Sequence, residues 1–352
     1  MVQDGLWHDD VVRLTEEGEP SDLRELIGAS MPTTRHTQPL LTWAQDLAQR
    51  IPDPGAGGTR VRWEALATVA ARDLVAARVL EPHLDALAIL REAGPDVVDV
   101  IDPAGATWGV WAAEGPGVRL EASQDDDGWV LDGVKPWCSL AGDVSAGLVT
   151  AWVDERRRGL FAVGTHDPGF SVDSGAWRPS GLAEVATATV TMRGVAARPV
   201  GGPGWYLTRP GFAWGGIGVA AVWFGASVAV ARRLLRETSR RAPDDIALLH
   251  LGELDARLTA ARTLLAHAAH EVDAGRAEGA AGARLAARVR HVVADAAEEV
   301  LTRTAHGLGP GPLSQEPEHS RRVADLSLYL RQHHAERDAV ALGRMVVPAR
   351  SR

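Results

Sequence analysis

The chain has 352 residues, 45% of them hydrophobic and 24% charged, with a formal net charge of -9. This is a globular composition, long enough for one large domain or two to three smaller ones, and the acidic balance argues against nucleic acid or an anionic membrane surface as partner. The single cysteine, Cys138, excludes an intrachain disulfide and fits a reducing, cytoplasmic setting, and the first ten residues lack the basic start and apolar run of a signal peptide.

Residues 1 to 103 read as helical. Ser21-Asp22 ahead of Leu23 and Leu26 is an N-cap signal. Leu40, Leu41, Trp43, Ala44, Leu47 and Ala48 recur at helical spacing, and Pro52 to Gly58 is a loop. Trp63 to Arg91 is a long Ala/Leu-rich run interrupted at Pro82, and the helix carrying its end stops at Gly94.

The composition changes near Pro103. From Thr107 to about Val200, short runs rich in strand formers alternate with Gly, Pro and Asp clusters, which predicts a small antiparallel barrel or sandwich. Within it, Trp129-Val-Leu, Asp132-Gly133 and Val134 predict a hairpin turning at Asp132-Gly133, because type I′ turns need positive φ at both central positions. The run Ala186 to Met192 alternates with period two, one face buried and one polar.

After Gly204 the chain returns to helix, over 212–239, 246–274, 282–304 and 321–343. The apolar stretch from Gly211 to Ala231 is interrupted by glycines and followed at once by arginines, so it reads as a buried helix and not as a membrane span. The pairs Arg232-Arg233 and Arg240-Arg241 read as a solvated helix face. Gly216-Ile-Gly218-Val-Ala-Ala221 matches a dinucleotide fingerprint only as a string. No strand precedes it, so its glycines are assigned to helix packing.

Two stretches carry a family resemblance. Gly128-Trp-Val-Leu-Asp-Gly-Val-Lys-Pro-Trp-Cys-Ser139 resembles the "Gly-aromatic-x-Leu-x-Gly-x-Lys-x-Trp-x-Ser" segment of acyl-CoA dehydrogenases, and 175–206 resembles the segment that closes their β-domain. The order helices, strands, helices is also theirs. The resemblance implies an α+β fold with an N-terminal helical domain (1–103), a middle antiparallel β-domain (104–203) and a C-terminal four-helix-bundle domain (204–352). It further implies a FAD-dependent oxidoreductase acting on the CH–CH bond of an acyl-CoA or related thioester, with the electron acceptor left open. A homodimer or homotetramer is expected, because flavin sites in that family are shared between subunits.

By resemblance, Trp108, Val110, Trp137, Cys138 and Ser139 line the flavin crevice. Read from the residues alone, Trp137 equally suits a core aromatic and Ser139 a turn-stabilising serine. Arg240 (or Arg241), Arg303 and Gly307 fall where the family contacts the flavin phosphates, the last two towards a neighbouring subunit. His306 replaces a glycine of that turn, Arg303 a glutamine, and Leu249-His250 a Phe-Gln pair. Counting from Asp325, His333 occupies the position of the catalytic glutamate, and the family's other base position aligns near Gly215, which offers no carboxylate. A histidine can act as general base near neutral pH, although His333 and His334 also fit ordinary polar helix residues. His334 and Asp338 lack a third ligand, so no metal is expected. Two alternatives to the dehydrogenase stand: a reduced-flavin monooxygenase on the same scaffold, and a non-catalytic subunit paired with an active homologue.

Overall fold

The computed structural model describes residues 5–16, 20–28, 31–94, 105–126, 128–240 and 244–347. The composition change at Pro103, and Arg241, lie outside these residues. Among the described residues the first region holds five helices: α1 (Gly5–His8), α2 (Pro20–Ile27), α3 (Thr37–Ala48), α4 (Thr59–Arg72) and α5 (Leu74–Ala93). The long Ala/Leu-rich run breaks at Asp73 and not at Pro82. Asp73 is extended, and its carboxylate accepts from the backbone N–H groups of Val75 (2.7 Å) and Ala76 (3.3 Å), starting a new helix. Pro82 is carried inside α5, where it forfeits one backbone hydrogen bond. Gly94, at φ 96°, ends the helix as expected.

Seven strands follow: β1 (Trp108–Trp111), β2 (Leu120–Asp125), β3 (Gly128–Ser139), β4 (Ala146–Trp152), β5 (Arg158–Gly164), β6 (Phe170–Asp173) and β7 (Thr187–Val200). The pairings β2–β3, β3–β7, β7–β5, β5–β4 and β4–β2 close a ring, with β1 added to β4 and β6 to β7. Closure leaves the ring without free edges. Two pairings depart from the antiparallel expectation, since β1–β4 and β2–β4 are parallel. The predicted hairpin is also displaced. The chain turns between Asp125 and Gly128, and Asp132-Gly133 lies within the single long strand β3 at a register shift against β7. Gly133 has φ 124°, and a Cβ there would collide with the Arg119 carbonyl. Its freedom thus serves a bulge and a close strand approach, and Asp-Gly alone does not separate that use from a turn.

The C-terminal region holds α6 (Trp205–Thr208), α7 (Pro210–Thr238), α8 (Asp245–Asp273), α9 (Gly279–Leu308), α10 (Gly311–Gln315), α11 (Pro317–Tyr329) and α12 (Glu336–Val346). Among the described residues α7 is the one helix long and apolar enough to cross a membrane. Here it is enclosed: Ile217, Val222, Trp223, Phe224 and Val230 are fully buried, and α4, α8, α9 and α11 pack around it, as a helix apolar on all sides requires. The fourth long helix expected over 321–343 is broken. Leu326, Tyr329 and Leu330 are buried, a 3-10 turn covers Leu330–Gln332, and His333 is extended at φ -90° and ψ 121°. Ala335 sits at φ 46°, and α12 restarts at Glu336 with Asp338 accepting the His334 N–H at 3.1 Å. An acid in the first turn of a helix is favourable.

Candidate active site

A cavity of about 800 Å³ lies where the three regions meet. Its walls are one face of α5, the end of β1, the segment from α6 into the first third of α7, the N-terminal half of α9, and the break before α12. The size and the convergence of polar groups suit a small-molecule site.

The α5 wall is charged. Arg78, Glu81 and Asp85 stand at helical spacing on one face. Arg78 donates to Glu81 at 2.7 Å and to the Tyr329 hydroxyl at 3.2 Å. From α7's start, Arg209 donates to Glu92 at 2.6 Å. Burial pushes the carboxyl groups of Glu81 and Asp85 above the usual carboxylate range, against the nearby arginines. Across helix α5, His83 accepts the Trp108 N–H on Nδ1 at 3.3 Å, and burial lowers its pKa to about 4. A neutral His83 therefore ties α5 to β1. The sequence signal for this wall was Arg78, Glu81 and Asp85 recurring inside an otherwise Ala/Leu-rich helix, a place where charges are kept only when paired or used.

His333 lines the opposite wall. Its side chain is 8% exposed, and Nε2 has no hydrogen-bond partner, with Asp338 3.8 Å away. Trp223 presents edge to face with it, and His291 lies 5.6 Å from it, ring to ring. Burial holds the His333 pKa below the ordinary imidazole value, outweighing the attraction of Asp338. Arg290 buttresses this wall. It lies over the Trp223 ring at 4.7 Å and donates to the carbonyls of Gly216 (2.9 Å) and Gln332 (3.1 Å).

Of the five residues expected along a flavin crevice, Val110 lines this cavity, and Trp108, Trp137, Cys138 and Ser139 do not. Trp108 is buried in the core. Cys138 is fully buried, its thiol donating to the Lys135 carbonyl at 3.5 Å and pushed up to about 12 by burial. The register of β3 against β7 shifts between Lys135 and Cys138, and within that irregularity Trp137 is turned out, 61% exposed at φ 61°. Ser139 shares a hydrogen bond with Thr187 at 2.9 Å, and its carbonyl accepts from the Trp111 indole at 3.0 Å. Among the described residues, two of the four non-glycine residues with positive φ, Trp137 and Leu140, fall in or just after this stretch. Backbone strain and a bare indole together mark a surface that suits a planar ring.

Arg240, Arg303 and Gly307 lie outside the cavity. The helices that carry or lead to them run away from it, by roughly 30 Å along α7 to Arg240 and roughly 20 Å along α9 to Arg303, at 1.5 Å per residue. Arg240 lines a separate hollow with Trp7, His8, Arg232 and Arg236. Arg303 is already paired with Glu299 (2.6 Å) and Glu253 (3.6 Å), and Gly307 packs against Leu234 and His250.

Residues 204–331 match the family model of the acyl-CoA dehydrogenase C-terminal domain. No curated protein matches the chain at a significant level. Among solved structures, the chain is similar to KijD3 in complex with FMN and dTDP-3-amino-2,3,6-trideoxy-4-keto-3-methyl-D-glucose, at 20% identity over 94% of each chain and a TM-score of 0.77. It is similar to FMN-bound TdsC, a dibenzothiophene monooxygenase from Paenibacillus sp. A11-2, at 15% identity over 92% of this chain and 96% of that one, TM-score 0.76. Butyryl-CoA dehydrogenase from Megasphaera elsdenii is similar at 17% identity over 93% and 98%, TM-score 0.77. The fold is that of the acyl-CoA dehydrogenases, as the order of helices and strands led one to expect.

Proposed function

We propose that this chain, an acyl-CoA dehydrogenase-fold flavoprotein, is a flavin-dependent oxidoreductase that oxygenates a small polar substrate and does not dehydrogenate a fatty-acyl thioester. The carrying observation is the cavity wall. Arg78, Glu81, Asp85, Arg209 and Arg290 all line it. These groups are largely paired with one another, and an alkyl chain laid against them would return no hydrogen bond to the capacity that their pairs leave open. A polar substrate can return one. The position that the resemblance assigns to a carboxylate base holds the imidazole of His333, neutral at physiological pH by the direction of its shift.

The flavin ring fits the residues present: the exposed Trp137 indole, the Ser139–Thr187 hydroxyl pair and the apolar edge at Val110 and Ala112. When bound, the flavin supplies two-electron redox chemistry and, in its reduced form, reaction with dioxygen. The adenylyl half of FAD is served less well, because Arg303 is already neutralised by Glu299 and Glu253. FMN, the flavin named for KijD3 and TdsC, is therefore the cofactor we favour over FAD. In the reaction the His333 imidazole holds or delivers a proton, Arg290 fixes the segment bearing it, and the charged α5 wall orients the substrate.

The test begins with the absorption spectrum of the purified, desalted protein, followed by identification of the flavin released on denaturation. Substrate-dependent dioxygen consumption with supplied reduced FMN is expected. Anaerobic bleaching of bound FAD by acyl-CoA thioesters would replace this reading with the dehydrogenase. That second reading has one observation in its favour: Glu81 and Asp85 place carboxylates with raised pKa in the cavity, so a base of the required type exists on α5. A colourless protein that binds neither flavin would leave the non-catalytic subunit.

A further inference from the structure

Asp85 and Arg209 each carry unused hydrogen-bonding capacity at the same end of the cavity. Among the described residues Asp85 makes no hydrogen bond, and its nearest cation, Arg209 Nη2, is 3.9 Å away, too far for one. Arg209 is committed through Nη1 to Glu92. Its side chain is only 2% exposed, yet Nε has no partner. The Arg209 atom nearest Asp85 is Nη2, and a gap of 3.9 Å is one that a single oxygen can span with a hydrogen bond to each side.

The local charge decides what the missing partner is. Arg62, Arg78 and Arg209 face Glu81, Asp85 and Glu92, three cations against three anions. An added ammonium or carboxylate would leave an uncompensated charge in a buried site. A hydroxyl group donates once and accepts twice, so one oxygen placed between the two side chains satisfies both without disturbing the balance. The facing wall puts glycines, without side chains, against these groups. A Cβ on Gly215 would stand 2.9 Å from Asp85 Oδ1, and one on Gly211 would collide with both Arg209 and Glu92. Phe212, packed edge to face on Tyr206 at 5.3 Å, supplies an apolar wall next to it, while the Tyr206 hydroxyl faces Arg209.

We propose that the α5 end of the cavity is a subsite for a neutral hydroxyl group of the substrate, received between Asp85 and Arg209 and carried on a compact ring or short apolar body. This rests on reading the cavity as the substrate's site and names the class of substrate it takes.

The test uses three probes that differ in one group: cyclohexanol, cyclohexylamine and cyclohexanecarboxylate, titrated calorimetrically into the full-length protein with any flavin it carries. Cyclohexanol is expected to bind about tenfold tighter than either charged probe, the factor set by one hydrogen bond to a buried group. Asp85→Asn removes one negative charge and keeps an acceptor, so the carboxylate probe should gain about tenfold while the alcohol changes less than threefold. Gly215→Ala should weaken the alcohol about tenfold by filling the space before Asp85, in a helix that alanine favours. Preference of the wild type for the amine would overturn the proposal in favour of a cation site. Failure of all three probes, or unchanged selectivity in Asp85→Asn, would mean an ordered water only. Flavin content is read separately by absorbance. A protein that selects the alcohol but holds no flavin keeps the subsite and loses the oxidoreductase, and a yellow protein without selectivity does the reverse.

Discussion

The two walls of the cavity are built on different principles. The α5 wall belongs to a continuous helix whose opposite side is locked to β1 through His83, and its charged residues are cross-linked to α7 and α11 by Arg209–Glu92 and Arg78–Tyr329. The His333 wall is a break between two helices, and beyond it α12 has no buried residue at all. A region with few buried contacts opens at low free-energy cost, and one with many opens only with the whole fold. The rigid wall can therefore fix a substrate's orientation, and the loose wall can admit it and bring His333 to bear. The proposed function therefore divides recognition and proton handling between opposite walls.

The largest effect should come from cutting the rigid wall. Arg209→Leu leaves Glu92 and Asp85 without their cation in a site where the arginine was almost completely enclosed. Removal of one partner from a buried ion pair costs about 3–5 kcal/mol, which should appear as a large fall in the urea midpoint. A loss below about 1 kcal/mol would show that the wall is far more hydrated than its geometry indicates, and the contrast between the walls would fail.

The pH dependence of stability separates the walls further. His83 has its folded pKa depressed from 6.5 to about 4 by burial. A histidine kept neutral in the fold contributes stability that is complete above the unfolded value. This is lost as pH falls from about 6.5 towards 4, and the shift corresponds to roughly 3 kcal/mol. Asp85 acts in the opposite sense: its folded pKa is raised, so its ionised form burdens the native state at neutral pH and protonation relieves it. His83→Gln should therefore flatten the acid limb of a stability-against-pH curve, and Asp85→Asn should steepen it by removing the opposing contribution.

On the loose wall, His333→Ala is expected to leave flavin content and the unfolding midpoint nearly unchanged and to reduce turnover at least about a hundredfold, the usual contribution of a positioned acid–base group. Substrate-dependent dioxygen uptake measures it. Turnover within a factor of three of the wild type would remove His333 from the chemistry and shift attention to the carboxylates of α5.

The legibility of these walls in the sequence follows the same division. The order of helices and strands, the enclosure of α7 and the glycine stop of α5 were readable because periodicity and backbone permissiveness are local. Asp73 as the helix break was not, since Pro82 is the stronger local signal and only the capping geometry shows that the chain pauses nine residues earlier. Asp132-Gly133 read as a turn because a bulge uses the same positive φ. The parallel pairings of β4 depend on which strands meet, which no short pattern encodes. Of the residues that line the cavity, His333 and Val110 were expected from resemblance to a family pattern. Asp85 and Arg209 were missed because the role proposed for them arises from the gap between their side chains, and a gap is a property of three dimensions.

The smallest effect expected bears on the hinge of the loose wall. Ala335 occupies φ 46° and ψ -111°, a conformation that glycine adopts freely and an L-residue with a Cβ does not. Such a residue holds about 1–3 kcal/mol of strain, and glycine gives back part of that gain through its larger unfolded-state entropy. Ala335→Gly should therefore raise stability by roughly 1 kcal/mol. The same change applied to a position on α5, Ala86→Gly for example, should lower stability by about the same amount, since a helix interior penalises glycine. The opposite signs are the diagnostic result. If Ala335→Gly destabilises as Ala86→Gly does, the segment 333–335 is not strained, α11 and α12 behave as one helix, and His333 stands on a wall as firm as the one it faces.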